Sequence, residues 1–235
     1  SVTDWRVHDV KIDGGSQTAS VAFQPYSAVS KLTFVNVTVA NTQWGWNINL
    51  TNITDLQEIA VHDSSLDTAS VGTSGQGYCY FGGAYQLSVQ GNSFNGADRN
   101  HTVRCSPQRA VFANNKLYST SKANANVVND IKMYGRTATA ETSEYFVISG
   151  NKLEENTINV VPQDFNATEV VENWVVERNW CTQGQTYSSA LMMCEMGFGH
   201  GTFRNNLYNP TYALTVGRIM GEISYRTLSG DTAVP

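Results

Sequence analysis

Arg104 and Lys132 fall on two segments that read as neighbouring strands, and two cations at that spacing pose a chemical question. If Val103 points inward, strand alternation sends Thr102 and Arg104 outward. If Ile131 and Met133 point inward, Asp130, Lys132 and Tyr134 point outward. Neighbouring strands lie roughly 4.8 Å apart, and like charges stacked at that distance cost energy unless an anion joins them. The expected outward column is Asn49, Tyr80, Arg104, Lys132 and Asn159, with Asn47 and Asp130 alongside it as further substrate contacts. Such a polar, aromatic and cationic strip suits an acidic polysaccharide. A lyase acting on a uronate needs a cation or amide donors on the carboxylate, a base for the proton beside it, and an acid for the leaving oxygen. Arg104 is the candidate for the first role and Lys132, easier to deprotonate beside a guanidinium, for the second. Tyr80 or Tyr134 is the candidate for the third. His101 shares the parity of Val103 and takes part only if the strand begins after it. The plain alternative for Arg104 and Lys132 is a solvated face balanced by acids such as Asp130.

Other residue groups carry less. A hydrolase wants paired carboxylates, for which Asp130 and Glu195 are the candidates, two coils and roughly 10 Å apart. The consecutive Met192-Met193 leaves the parity of Glu195 open, so the hydrolase ranks below the lyase. Val7-His8-Asp9 invites a catalytic reading but returns as Val61-His62-Asp63, which marks it as a turn feature of a repeat. The glycine-rich run from Val71 to Gly77 lacks the phosphate-loop pattern and leads into a strand. No outward cluster of Asp suggests calcium, so neither metal nor cofactor is expected.

The elements that would position these residues come from a repeat. Val7, Phe34, Val61, Val89, Phe112, Ile148, Val176 and Phe203 recur at spacings of 27, 27, 28, 23, 36, 28 and 27. Three positions after each stand Val10, Val37, Ser64, Asn92, Asn115, Asn151, Asn179 and Asn206. A period in the twenties denotes one supersecondary unit that buries its apolar face only by stacking on its neighbours. Alternating β-branched and aromatic residues flank the anchors, as in Leu32-Thr33-Phe34 and Phe146-Val147-Ile148, which is strand chemistry. Asn at a fixed corner tolerates the left-handed backbone region, and stacked Asn side chains can bond one another. The expectation is an all-β, right-handed parallel β-helix of about eight to nine coils with an Asn turn column, its handedness taken from the crossover rule. The 36-residue spacing places extra loop around Ser119–Asn129 and Arg136–Ser143, and loops usually build the binding face of a solenoid.

At 235 residues this is one elongated domain over 1–228, with 229–235 an exit tail. The first coil begins without a preceding capping helix, so the domain reads as part of a longer chain. Charged residues make up 15% and the net charge is −5, which argues against a general binder of nucleic acid or anionic membranes. No apolar run is long enough for membrane insertion. Cys79, Cys105, Cys181 and Cys194 form no CxxC pair, which makes structural zinc improbable. A Cys79–Cys105 bridge between adjacent coils, a Cys181–Cys194 bridge within one, or buried free thiols all stay open.

The repeat with its Asn turn resembles the pectate-lyase-like right-handed β-helix superfamily across nearly the whole chain. More narrowly, His101-Thr102-Val103-Arg104, Val111-Phe112-Ala113-Asn114-Asn115 and Ile131-Lys132-Met133-Tyr134-Gly135 are similar to a pattern in secreted bacterial β-helix proteins. The resemblance implies polysaccharide lyases, hydrolases, epimerases, phage tailspikes or adhesin shafts, located outside the cell or on its surface. The Asp-Pro-His-Asp segment that marks mannuronan epimerases is missing. The leading expectation is therefore an extracellular, carbohydrate-active β-helix, a lyase on an acidic polysaccharide. The rival is a non-catalytic structural or adhesive module of a surface fibre or tailspike, making end-to-end or lateral protein contacts through uncapped coil ends.

Overall fold

The computed structural model describes residues 3–15, 21–25, 29–42, 44–48, 56–67, 79–81, 84–95, 103–105, 107–118, 131–134, 143–154, 158–161, 171–183, 192–196, 200–210 and 222–225. Among these, every regular element is a β-strand, and the strands form two parallel sheets of 14 and eight strands. The protein is an all-β parallel β-solenoid.

The larger sheet has two arms. Its first arm stacks Lys31–Ala40, Glu58–His62, Gln86–Gln90, Arg109–Ala113, Ser143–Ser149, Val171–Glu177 and His200–Arg204 in chain order, and Asp4–Asp13 pairs with Lys31–Ala40. The second arm runs through Ser65–Asp67, Ser93–Asn95, Lys116–Tyr118, Lys152–Glu154, Trp180–Gln183 and Leu207–Pro210. Within Lys31–Ala40 both arms belong to one continuous strand. The eight-stranded sheet stacks Val21–Phe23, Trp44–Ile48, Cys79–Phe81, Val103–Cys105, Ile131–Tyr134, Ile158–Val161, Met192–Met196 and Glu222–Tyr225.

The corner between the arms explains the repeat. Leu32 and Phe34 are buried, and so are Val37 and Val39, so the inward parity shifts across Val35-Asn36. The shift needs one residue in the left-handed region, which Asn36 supplies at φ 53°. Each later coil repeats the device with Asp63, Gly91, Asn114, Gly150, Arg178 and Asn205, all at positive φ, and Asp9 does the same in the first. Here the structure corrects the sequence reading. The left-handed position belongs to the residue before the Asn column, where Asp, Asn and Gly dominate because they tolerate that conformation. This also places Asp9 and Asp63 at the corner as turn residues.

The Asn column itself faces inward and is buried at Asn92, Asn115, Asn151 and Asn179. Each Oδ1 accepts both the backbone N–H and the Nδ2–H of the preceding Asn. For Asn92 on Asn115 these bonds are 3.0 and 2.9 Å, and for Asn115 on Asn151 both are 2.9 Å. Each Nδ2 also donates to a carbonyl of the coil before, as Asn115 does to Val89 at 2.9 Å. Ser64 tops the ladder: its N–H donates to Asn92 Oδ1 at 2.8 Å, and its Oγ accepts from Val37 N at 3.1 Å. The inward amides of this ladder are tolerated because each has its partners.

Apolar layers fill the remainder of the interior. Phe34 of the first arm meets Trp46 of the eight-stranded sheet at 5.9 Å, and Trp46 meets Phe94 of the second arm at 6.3 Å, both edge to face. Trp46 thus ties the three faces together. Cys79 and Cys105 lie fully buried in the same core. Cys79 opposes Val103, and Cys105 opposes Phe81, so the two are diagonal across the strands with Cα atoms about 8 Å apart, beyond disulfide reach.

Candidate functional site

The eight-stranded sheet brings together most of the expected column. Its register opposes Asn47 to Tyr80, Tyr80 to Arg104, Arg104 to Lys132, and Lys132 to Asn159. Trp46, Ile48, Cys79, Phe81, Val103 and Cys105 are buried on the alternate positions, while Asn47 and Tyr80 are part-exposed. Met193 and Glu222 occupy the next two positions of the column. Tyr134 stands two residues beyond Lys132 on the same strand, opposite Val161.

One member is corrected. Asn47, not Asn49, opposes Tyr80, because Phe23 over Trp46 and Ile48 beside Phe81 fix the strand two residues earlier than the repeat count implied. Asn49, His101 and Asp130 lie outside the described residues, as do the segments 119–130 and 135–142 that border Lys132 and Tyr134. Of the hydrolase pair, Glu195 lies on a described strand opposite Ser224.

A second arrangement, which the sequence reading missed, lies on the first arm of the larger sheet. Three outward rows run across its strands: Glu58, Gln86, Arg109 and Tyr145; then Ala60, Ser88 and Val111; then His62, Gln90 and Ala113. Small residues in the middle row leave a partly open groove of about 250 Å³, lined among others by Glu58, Gln86, Ser88, Arg109, Val111 and Tyr145. From the third row His62 reaches diagonally, its Nε2 2.8 Å from Ser88 Oγ, and Gln90 Nε2 donates to the same oxygen at 2.7 Å. On the opposite side Arg109 is held by Glu144 at 2.5 Å and lies over the Tyr85 ring at 5.2 Å. The Glu144 carboxylate raises the guanidinium pKa above its ordinary value. The signal that could have found this site is spacing: His62 and Ser88 are 26 residues apart, two short of the 28 that separate His62 from Gln90 opposite it, which makes them diagonal neighbours on one face.

Elsewhere on this arm the charges pair between coils. Glu177, with a side chain 9% exposed, accepts from Arg178 Nη2 at 2.5 Å and from Arg204 Nε at 2.6 Å. Those two bonds hold its carboxyl below the usual carboxylate range. Asn36 donates to Asp9 at 2.6 Å and Asn41 to Asp13 at 3.0 Å, lowering both Asp pKa values in the same way.

Comparison with protein-family models, with curated proteins and with solved structures finds no match to this chain.

Proposed function

We propose that the protein is an extracellular carbohydrate-active β-solenoid of the pectate-lyase-like kind, acting as a lyase on an acidic polysaccharide. One observation carries the reading: Arg104 and Lys132 occupy opposed positions on adjacent strands, between Tyr80 and Asn159 in a single register column. Two cationic residues at one strand spacing favour a carboxylate ligand over a neutral one. In the proposed reaction Arg104 neutralises the uronate carboxylate and so acidifies the adjacent carbon. Lys132, as the free amine, takes that proton, the carbon–oxygen bond to the leaving sugar breaks, and Tyr80 or Tyr134 protonates the departing oxygen. The products are an unsaturated uronate and a new chain end, with no water consumed.

The test is ultraviolet absorbance of the unsaturated product during incubation with a panel of uronate polysaccharides. Wild-type protein should generate it, and Arg104→Ala and Lys132→Ala should each abolish it. A flat trace across the panel from folded wild-type protein would overturn the reading.

A second reading, a non-catalytic structural or adhesive module, is favoured by the outward ion pairs of the first arm. Arg109–Glu144, Lys31–Glu58 and Glu177–Arg204 join one coil to the next. A surface whose charges satisfy one another in this way is suited to stiffening a shaft.

A further inference from the structure

We infer that Ser88 and His62 form a nucleophile–base pair that cleaves short acyl esters, a site on a different sheet from Arg104 and Lys132 and independent of the lyase reading. The hydroxyl and the imidazole nitrogen are in hydrogen-bond contact at 2.8 Å, the distance a general base needs to take the proton from a serine. Both side chains are part-exposed, and Ser88 lines the groove while His62 approaches it from the row beside it. Gln90 donates to Ser88 Oγ at 2.7 Å. That bond fills one lone pair and stabilises negative charge on the oxygen as its proton leaves. The remaining hydroxyl proton then serves His62 Nε2 in the tautomer protonated at Nδ1.

The groove sets the substrate class. Its volume of about 250 Å³ and its partly open form leave no tunnel for a long acyl chain, whereas Val111 and the small middle row accept an acetyl-sized group. Glu58, Gln86 and Tyr145 line the same groove and suit a leaving alcohol rich in hydroxyls, such as an O-acetylated sugar. The Gln86 amide and the Arg109 guanidinium are the donors available to the carbonyl oxygen as it gains charge.

The chemistry closes without a co-reactant other than water. Ser88 Oγ bonds to the acyl carbon while its proton passes to His62 Nε2. The ester carbon–oxygen bond breaks, and that proton leaves on the alcohol. Water then gives a proton to His62 and attacks the acyl-serine, and the proton returns to Ser88 Oγ as the carboxylic acid departs.

The test is labelling of the full chain with a serine-directed fluorophosphonate, located by peptide mass spectrometry, alongside hydrolysis of 4-nitrophenyl acetate. The adduct should sit on Ser88. In His62→Asn both labelling and hydrolysis should fall about a hundredfold, the usual contribution of a general base, with the thermal midpoint unchanged. An unlabelled Ser88 in wild-type protein would overturn the inference whether or not the variant folds. Equal labelling rates in wild type and His62→Asn would overturn it as well, since the serine would then react without its base.

Discussion

Nδ2 of Asn115 lies 2.9 Å from Oδ1 of Asn151, although 36 residues of chain separate them. The same contact spans 23 residues between Asn92 and Asn115, and 28 between Asn151 and Asn179, at 2.9 Å each time. Coil length therefore varies elsewhere while the corner stays fixed. Asn115→Ala would remove the acceptor of two Asn92 N–H groups and the donor to Val89 in the buried interior. We expect a loss of about 3 kcal/mol in chemical denaturation, as for other broken buried networks. Asn206→Ala, at the part-exposed end of the described ladder, should cost clearly less because water replaces part of what is lost. Equal losses at the two sites would contradict a ladder whose strength depends on burial.

Two glycines should separate backbone strain from steric contact. Gly150 sits at φ +66° with an added Cβ 2.5 Å from Asn114 Oδ1, the movable end of an exposed side chain. Gly150→Ala should cost about 1–2 kcal/mol, mostly the left-handed backbone. Gly201 lies under the buried Trp174 of the neighbouring coil, where an added Cβ would fall 1.8 Å from the indole. Gly201→Ala must displace a ring packed in the core and should cost more, about 3 kcal/mol. Thermal melts of the two variants give the order.

Glu177 makes stability depend on pH in a defined direction. Its carboxyl is held low in the folded state, first by Arg178 and then by Arg204. The stabilisation is therefore fully present above the unfolded glutamate value of about 4.3 and is lost as pH falls through the lower folded value. Wild type and Glu177→Gln should differ most in thermal midpoint near neutral pH and converge in acid. A gap that stays constant down to strongly acid pH would show that the ion pairs contribute nothing.

Burial pushes both the Cys79 and Cys105 thiols well above their ordinary pKa. Thiolate is the reactive form, so an alkylating reagent at mildly alkaline pH should leave both unmodified in native protein and label both in denaturant. Peptide mapping reads each site separately. Rapid native labelling of either would place it outside the core.

The anchors Phe34, Val61, Val89, Phe112 and Ile148 were legible because a solenoid repeats its inward residues at near-constant spacing, and all five are buried. The Asn column was legible for the same reason, but its role was not. An inward amide and a left-handed residue one position earlier leave the same Asn-rich trace in Asn114-Asn115, and only φ distinguishes them. The alternation of the cationic column was read from the buried positions around it, whereas its register slipped by two at Asn47, because a strand shifted by two keeps the same parity. The Ser88–His62 contact was hidden for a geometric reason. Period analysis aligns residues directly opposite, and this pair meets on the diagonal.

The central claim is that the column holding Arg104 and Lys132 takes an anionic sugar. Calorimetric titration with a uronate oligosaccharide and with its neutral counterpart tests it directly, comparing wild type with the Arg104→Ala/Lys132→Ala double variant. The account predicts that wild type binds the uronate and not the neutral sugar, that added salt weakens the binding, and that the double variant loses it. Equal binding of the neutral sugar, or uronate binding undiminished in a folded double variant, would contradict it.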